Sequence, residues 1–428
     1  MAAPGPRLQM MIPSRPLRRL VAVLVCVVSL LAPQALVSAA DRSPLLEGEA
    51  GSGPPDWSAP RALGRVEGIT WSDVPSDHWA RNAIEHVGST NSWMLDFRQA
   101  ADETYPFKPD ILETRKLFAR SVVRAFAPDA ADPELSFADL PEEDRFLPFA
   151  SVAIASGWLE TDEEGNFLPD APVTMRDVHR TLVLAIGMGD LAAGADALHL
   201  RDGTAVDTPK DFGTTLIGMK IGLRFNHGDE TLDVPGPDAP LDRAEVAWSL
   251  YRASTVPTWM RDSLAPYATM ELPNLSPKML RVVGFGVRYV GYPYVWGGEW
   301  AEAGPSGYCC GFQPIGGFDC SGITWWVMKR ASSGWDNPPP REYRGWDLPQ
   351  RSSAQMAAVG GRVRWEELRA GDLMFYDGDG EGTVDHVNVY VGNGWVIDAG
   401  SSNAGVTLTY VAGDWYEDHF VKGRRILG

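Results

Sequence analysis

The stretch GGFDCSGITWWVMKR (Gly316–Arg330) sets one cysteine, Cys320, between an acid and a serine, just ahead of an apolar run. The run reads as a helix that turns Trp325, Trp326 and Met328 towards a core, with Cys320 at its N-terminus. Unpaired N–H groups and the helix dipole favour a thiolate at such a place. A thiolate nucleophile also needs a base. The chain beyond residue 276 holds two histidines, His386 and His419. His386 opens the strand pattern HVNVYV, and Gly392-Asn393-Gly394 turns that strand back into WVIDA. A three-residue loop sets Val391 opposite Trp395 and makes His386 and Asp398 diagonal neighbours on one sheet face. A slip of one residue would put them on opposite faces. Cys320, His386 and Asp398 therefore have the residue types of nucleophile, base and orienting carboxylate. The competing reading is a small buried cysteine, a core histidine and a turn aspartate. His419, among acids near the C-terminus, is expected to be exposed.

The elements that must position these residues form an α+β layout. Ser276 caps a helix with Pro277 in its first turn (SPKMLRVVGFGVRYVG). The segments PYVWGG, GDLMFY, HVNVYVGNGWVIDAG and a closing GRRILG follow as strands around the Cys320 helix.

Redox and export context follow from the ends and the cysteines. Arg7, Arg15, Arg18 and Arg19 precede the uncharged run LVAVLVCVVSLLA, and small residues follow at Ala39 and Ala40. Residues 1–40 are read as a signal peptide, too short in its apolar part to span a bilayer comfortably. Residues 41–68, rich in Gly, Pro, Ser and Glu, are read as a flexible leader. Cleavage removes four arginines and no acids, which takes the net charge from −18 to −22. Such a chain is a poor binder of nucleic acid or anionic membrane. It leaves Cys309, Cys310 and Cys320, three thiols that cannot all pair within one monomer.

Between residues 69 and 256 a unit repeats three times. Pro109-Asp110, Pro169-Asp170 and Pro237-Asp238 are each followed by an arginine that opens an amphipathic helix pattern: Arg115, Arg176 and Arg243. A second helical pattern precedes each Pro-Asp pair. The three units (69–128, 129–191 and 192–256) resemble S-layer homology (SLH) domains. WSDVPSDHWARNAIEHV, FKPD and ETRKLFARSVVRAF carry the first, FADLP, GWL, FLPD and TMRD the second, and GPDAPLDRAEVAW the third, which lacks the opening Asp-Val element. The resemblance implies an all-α, pseudo-threefold bundle that binds secondary cell-wall polysaccharide. It points to Arg115, Arg176 and Arg243 as groove arginines and to Trp79 as a sugar-stacking face; helix capping or pairing with nearby acids is the plainer role for the arginines. Residues 257–275, with three prolines, read as a linker.

Residues 276–428 resemble the NlpC-type cell-wall cysteine peptidases, a papain-like family with helices packed on an antiparallel sheet. The matching motifs are YVWGG (Tyr294–Gly298), FDCSG (Phe318–Gly322), LPQRSSAQ (Leu348–Gln355), GDLMFY (Gly371–Tyr376) and DHVNVYVGNGWVIDA (Asp385–Ala399). The resemblance implies Cys320 as nucleophile, His386 as base and Asp398 as the third polar residue. It puts Tyr294, Asp319 and Ser321 at positions that recognise the N-terminal end of a peptidoglycan stem peptide, cleaved at the D-γ-glutamyl to diamino-acid bond. Asp398 replaces the histidine common at the third position. Residues 299–317 form a long insertion carrying Cys309-Cys310. LPQRSSAQ has one residue more than the usual Pro-Arg pair, which leaves the role of Arg351 open. No metal-ligand cluster is read, and no cofactor is implied. The rival readings are a wall-anchored protein with a retired catalytic domain, and an amidase or acyltransferase on the same scaffold.

Overall fold

The structure is a computed structural model that describes residues 69–303, 313, 315–333, 348–411 and 414–427. The expected signal peptide, the leader and Cys309-Cys310 lie outside the described residues.

Each Pro-Asp pair ends a loop, and a helix starts shortly after it: Arg115–Phe126, Met175–Ala185 and Arg243–Ser254. Thr174 and Asp242 accept the N–H of Asp177 and Glu245, so two of the three starts are capped by side chains. The loops bond to one another in a ring. Glu113 N–H donates to Leu241 O at 3.0 Å, Leu241 N–H to Val173 O at 2.9 Å, and Val173 N–H to Glu113 O at 2.9 Å. Each repeat thus completes its loop only with the other two. Asp73 accepts the N–H groups of Phe107 and Lys108, both at 2.8 Å, and Asp139 does the same for Phe167 and Leu168. That is the physical use of the acid in WSDVP and FADLP. In the third repeat, which lacks this acid, Gly236 and Pro237 pack instead against Tyr292 and Gly291 of the C-terminal region.

The repeat arginines do not all stand at a groove mouth. Arg243 is 0% exposed. It binds Glu113 and Asp96, and its Nε donates to Phe107 O at 2.8 Å. Arg115, 7% exposed, spends its guanidinium on Phe167 O and Glu160 O, beside Asp177. Both are internal struts, because a fork of five donors satisfies loop carbonyls that water cannot reach. Trp79 stacks on Phe225 at 4.5 Å and on His78 at 5.9 Å, so the protein's own rings engage the face expected to take a sugar. Arg176 remains partly accessible and bridges Asp238 and Lys210 O. It borders a cavity of about 370 Å³ together with Lys210, Arg288 and Tyr292.

Several elements depart from a purely helical reading. The helix Arg81–Ile84 continues as a π-turn, Glu85–Thr90. A further helix, Gly189–Asp196, crosses the expected boundary between the second and third repeats. Strand β1 (His199–Leu200) pairs in parallel with β2 (Glu271–Leu272). Residues 257–275 are not a free linker: they form a helix, Thr258–Ser263, a 3-10 turn, Ala265–Thr269, and β2. Tyr267 is 2% exposed, packs on Trp395 at 4.9 Å, and donates its O–H to Leu408 O at 3.0 Å.

The C-terminal region opens with the helix Pro277–Val287, capped by Ser276. A short pair, β3 (Glu299–Trp300) and β4 (Gly317–Phe318), precedes the helix Cys320–Ser333. Six strands form the antiparallel sheet: β5 (Gly361–Val363), β6 (Asp372–Tyr376), β7 (His386–Gly392), β8 (Trp395–Gly400), β9 (Gly405–Tyr410) and β10 (Phe420–Arg425), in the order β5-β10-β6-β7-β8-β9. One face, with Phe375, Val387, Val389, Ile397 and Leu408, shares a hydrophobic core with both helices and with the repeats. The exposed edge of β9 would be a liability. It is covered: Val406 exchanges backbone bonds with Gly291 and Tyr292, and Tyr267 takes Leu408 O. Among the described residues no helix is long and apolar enough to cross a membrane.

Replacing Arg243 with Ala strands Glu113 in the core, while Asp96 keeps Arg120, and should cost about 3–5 kcal/mol in chemical unfolding. Burial already raises the Glu113 carboxyl to about 7 against the pull of Arg243. The loss should therefore be smaller at pH 5, where Glu113 takes a proton, than at pH 8.

Candidate active site

Cys320 is the first residue of its helix, 7% exposed, and a free thiol. The residue before it acts as the cap: Asp319 Oδ1 accepts the Gly322 N–H at 2.5 Å. Gly322 is required by packing. A Cβ there would lie 1.9 Å from Gly298 O, so no other residue lets the Gly297–Gly298 turn approach the helix start. The thiol reaches the other side of the site at Asp385, whose carbonyl lies 4.0 Å from Sγ.

His386 begins β7 directly opposite Tyr376 of β6. Its Nε2 lies 2.8 Å from Asp398 Oδ1. The hairpin reaches this geometry by a route different from the expected one. Asn393 and Gly394, both at positive φ, make a two-residue turn, and Gly392 pairs with Trp395. A bulge at Val391 then shifts the ladder by one residue. The shorter turn and the bulge cancel, so Val389 faces Ile397, and His386 and Asp398 share a face. Burial lowers the proton affinity of His386, but Asp398, through charge and hydrogen bond, and Cys320, through the same two effects, raise its pKa well above the usual imidazole range. An imidazole bonded through Nε2 to a carboxylate presents Nδ1 to the thiol. His419, the other candidate base, stacks on Trp415 and donates to, or accepts from, no part of this group; its Nδ1 lies 2.8 Å from Trp415 O.

Tyr294, Asp319 and Ser321 surround the thiol. Tyr294 is held protonated by burial and by the charges of Cys320 and Asp319. Asp319 and Ser321 are buried, and their polar atoms are engaged by a residue whose role the sequence leaves open, Arg351. Its guanidinium donates to Asp319 Oδ1 at 3.1 Å, Ser321 Oγ at 2.7 Å, Glu299 Oε1 at 2.7 Å and Gly298 O at 2.9 Å. Burial disfavours its charge, and Asp319 and Glu299 outweigh that, so its pKa is raised. The signal for this placement was local. Ser352 and Gln355 of LPQRSSAQ form a capping box, which fixes the helix start beside Arg351.

Asp377, Asp379 and Asp385, in the loop before His386, bring ligand oxygens within 4.8 Å of one another. This trio escaped the sequence reading. Its oxygens already accept Gly378, Asp379, Glu381 and Gly382 N–H groups, which is how an Asp/Gly-rich loop folds on itself.

A profile of the NlpC/P60 family matches residues 291–425. The peptidoglycan endopeptidase RipB of Mycobacterium tuberculosis (strain CDC 1551 / Oshkosh) is 30% identical over 249 residues, 58% of this chain and 81% of RipB. The chain belongs to the NlpC/P60 family. Murein DD-endopeptidase MepH of Escherichia coli (strain K12) is 29% identical over 147 residues, 33% of this chain and 43% of MepH. The bifunctional muramidase/DL-endopeptidase CwlT of Bacillus subtilis (strain 168) is 31% identical over 141 residues, 33% of this chain and 34% of CwlT. The chain thus spans less than half the length of MepH and CwlT. All three of these relatives are endopeptidases by name, two of them of murein or peptidoglycan.

Two outcomes follow for the NlpC/P60 domain. Arg351→Ala removes the cation shared by two buried carboxylates and should lower unfolding stability by about 3–5 kcal/mol. Asp398→Asn keeps a hydrogen-bonding group but removes the charge that raises His386. The imidazolium then loses its proton at lower pH, so the basic limb of Cys320 alkylation against pH should move down.

Proposed function

We propose that this chain is an exported, wall-bound peptidoglycan endopeptidase that hydrolyses stem peptides at the D-γ-glutamyl to diamino-acid bond. The observation that carries the reading is one imidazole held between a carboxylate at 2.8 Å and a thiol at a capped helix start. The names of the relatives support the substrate class.

In this reading His386 takes the thiol proton, and the Cys320 thiolate attacks the scissile carbonyl. The first-turn N–H groups of the Cys320 helix stabilise the oxyanion. The imidazolium then protonates the leaving amine, and an acyl-enzyme remains. Water, deprotonated by His386, hydrolyses it. Asp398 keeps the ring in the tautomer and orientation both half-reactions need. Tyr294, as a neutral phenol, and the Asp319–Ser321 pair line the end that takes the stem's amine terminus.

Residues 1–40 direct export, and residues 69–256 hold the enzyme on secondary wall polysaccharide. The threefold repeat supports the second part. Arg176, the repeat arginine that keeps exposed surface, is the contact for an acidic glycan.

Cys320→Ala should abolish release of stem fragments from purified peptidoglycan, followed by mass spectrometry of the products. The fragment masses identify the bond. Undiminished release by this variant would exclude the mechanism. The same inactive full-length protein should still sediment with purified walls, and Arg176→Ala in it should weaken sedimentation severalfold. Equal sedimentation of both would remove Arg176 from the wall-binding role.

A further inference from the structure

Lys220 is the last residue of the helix Phe212–Lys220, in the third repeat and outside the segment that matches the NlpC/P60 profile. Its side chain leaves the repeats and reaches the sheet. Nζ donates to Asn403 Oδ1 at 3.0 Å and to Thr409 Oγ1 at 3.2 Å. Both acceptors flank Asp398. Asn403 lies in the 3-10 turn Ser401–Asn403 that follows β8. A Cβ built on Gly400 would sit 3.6 Å from Asn403 Nδ2 and 3.7 Å from Asp398 Oδ2, so the two groups border the same small space. On the other side, Thr407 faces Asp398 across the β8–β9 ladder. Thr409 stands two residues further along the same face, its hydroxyl 2.8 Å from that of Thr407. Burial lowers the Lys220 amine to about 8, with Asp398 working in the opposite direction. A lysine drawn out of water costs stability unless its charge is used.

We propose that Lys220 is a positioning residue for the cysteine site: it fixes Asn403 and Thr409 on the two sides of Asp398 and sets a positive charge behind that carboxylate. The repeats then do more than hold the enzyme in place, because one of them completes the support of the His386–Asp398 pair. This inference rests on the peptidase reading above. Its chemistry is simple. Asp398 must accept the Nε2–H of His386 in one orientation for Nδ1 to face Cys320. A carboxylate with no wall behind it rotates. The lysine, through Asn403 and Thr409, supplies the wall. Its charge also offsets part of the effect of Asp398 on the imidazolium.

The test uses the full-length protein and two readouts. The first is alkylation of Cys320 by iodoacetamide as a function of pH, followed at the Cys320 peptide by mass spectrometry, which needs no substrate. The second is kcat and KM on purified stem peptide. Loss of a positive charge near the pair strengthens the imidazolium. In Lys220→Met the basic limb of alkylation should therefore move up by about half a pH unit, opposite in sign to Asp398→Asn. Turnover should fall on the order of tenfold with KM nearly unchanged, as expected for lost orientation. Lys220→Arg holds its charge throughout the limb and should place it at or below the wild-type position. If Lys220→Met does not fold, Asn403→Ala carries the test, and its kcat must fall with KM nearly unchanged. An unmoved basic limb and wild-type kcat in Lys220→Met would overturn the inference, as would wild-type kcat in Asn403→Ala. A wild type that alkylates with a clear imidazolium limb but cleaves no stem peptide would overturn the peptidase reading, and the catalytic role of Lys220 with it. A wild type that cleaves while Lys220→Met matches it would overturn this inference alone.

Discussion

One carboxylate holds the thiol in place. Asp319 caps the Cys320 helix through the Gly322 N–H, accepts the Gly297 N–H of the preceding turn at 3.0 Å, and takes two donors from Arg351. Three segments distant in sequence meet on its two oxygens. A buried carboxylate is tolerable only with such a set of donors, and once they are in place the helix start has little freedom. The thiol's position is thus a by-product of satisfying its neighbour. Ser321, held by both Asp319 and Arg351, belongs to the same cluster.

The second constraint is the open edge of the sheet. β9 carries Thr407 and Thr409 behind Asp398, and beyond the two backbone bonds at Val406 its free side would stay open in an isolated domain. Backbone of Gly291 and Tyr292, the Tyr267 hydroxyl and the Lys220 ammonium occupy that edge. Tyr267 and Lys220 come from the chain before residue 276. The repeats and the sheet consequently share one apolar core. The ring of loop hydrogen bonds among Glu113, Val173 and Leu241 gives the repeat side of that contact its own rigidity. Arg243 and Arg115 stiffen it further by binding loop carbonyls from within.

Much was legible from residue order alone. Local rules place the helix starts at Thr174, Asp242 and Ser276, since an N-cap oxygen needs only the next three residues. The strand through His386 and the turn at Asn393-Gly394 follow from alternation and from two residues that accept positive φ. Cys320 at a helix start follows from the apolar run after it. The shared face of His386 and Asp398 was also reached, although the turn is tighter than the loop count assumed and a bulge restores the register.

What lay beyond the sequence depends on partners far apart in the chain. A basic residue in a repeated motif looks the same whether it faces a glycan or a buried glutamate; only the fold puts Glu113 and Asp96 around Arg243 and seals it. Proline-rich spacing suggested a linker at residues 257–275, because composition reports turn propensity and not the Leu408 carbonyl that waits for Tyr267. Arg351 stands in a motif one residue out of step, and its purpose appears only when Asp319 and Glu299 converge on it. Residue types and local periodicity therefore determined which groups are available for the proposed chemistry and which elements carry them. The tertiary structure decided which charges are spent internally, because burial and pairing are properties of the space between segments and not of any one of them.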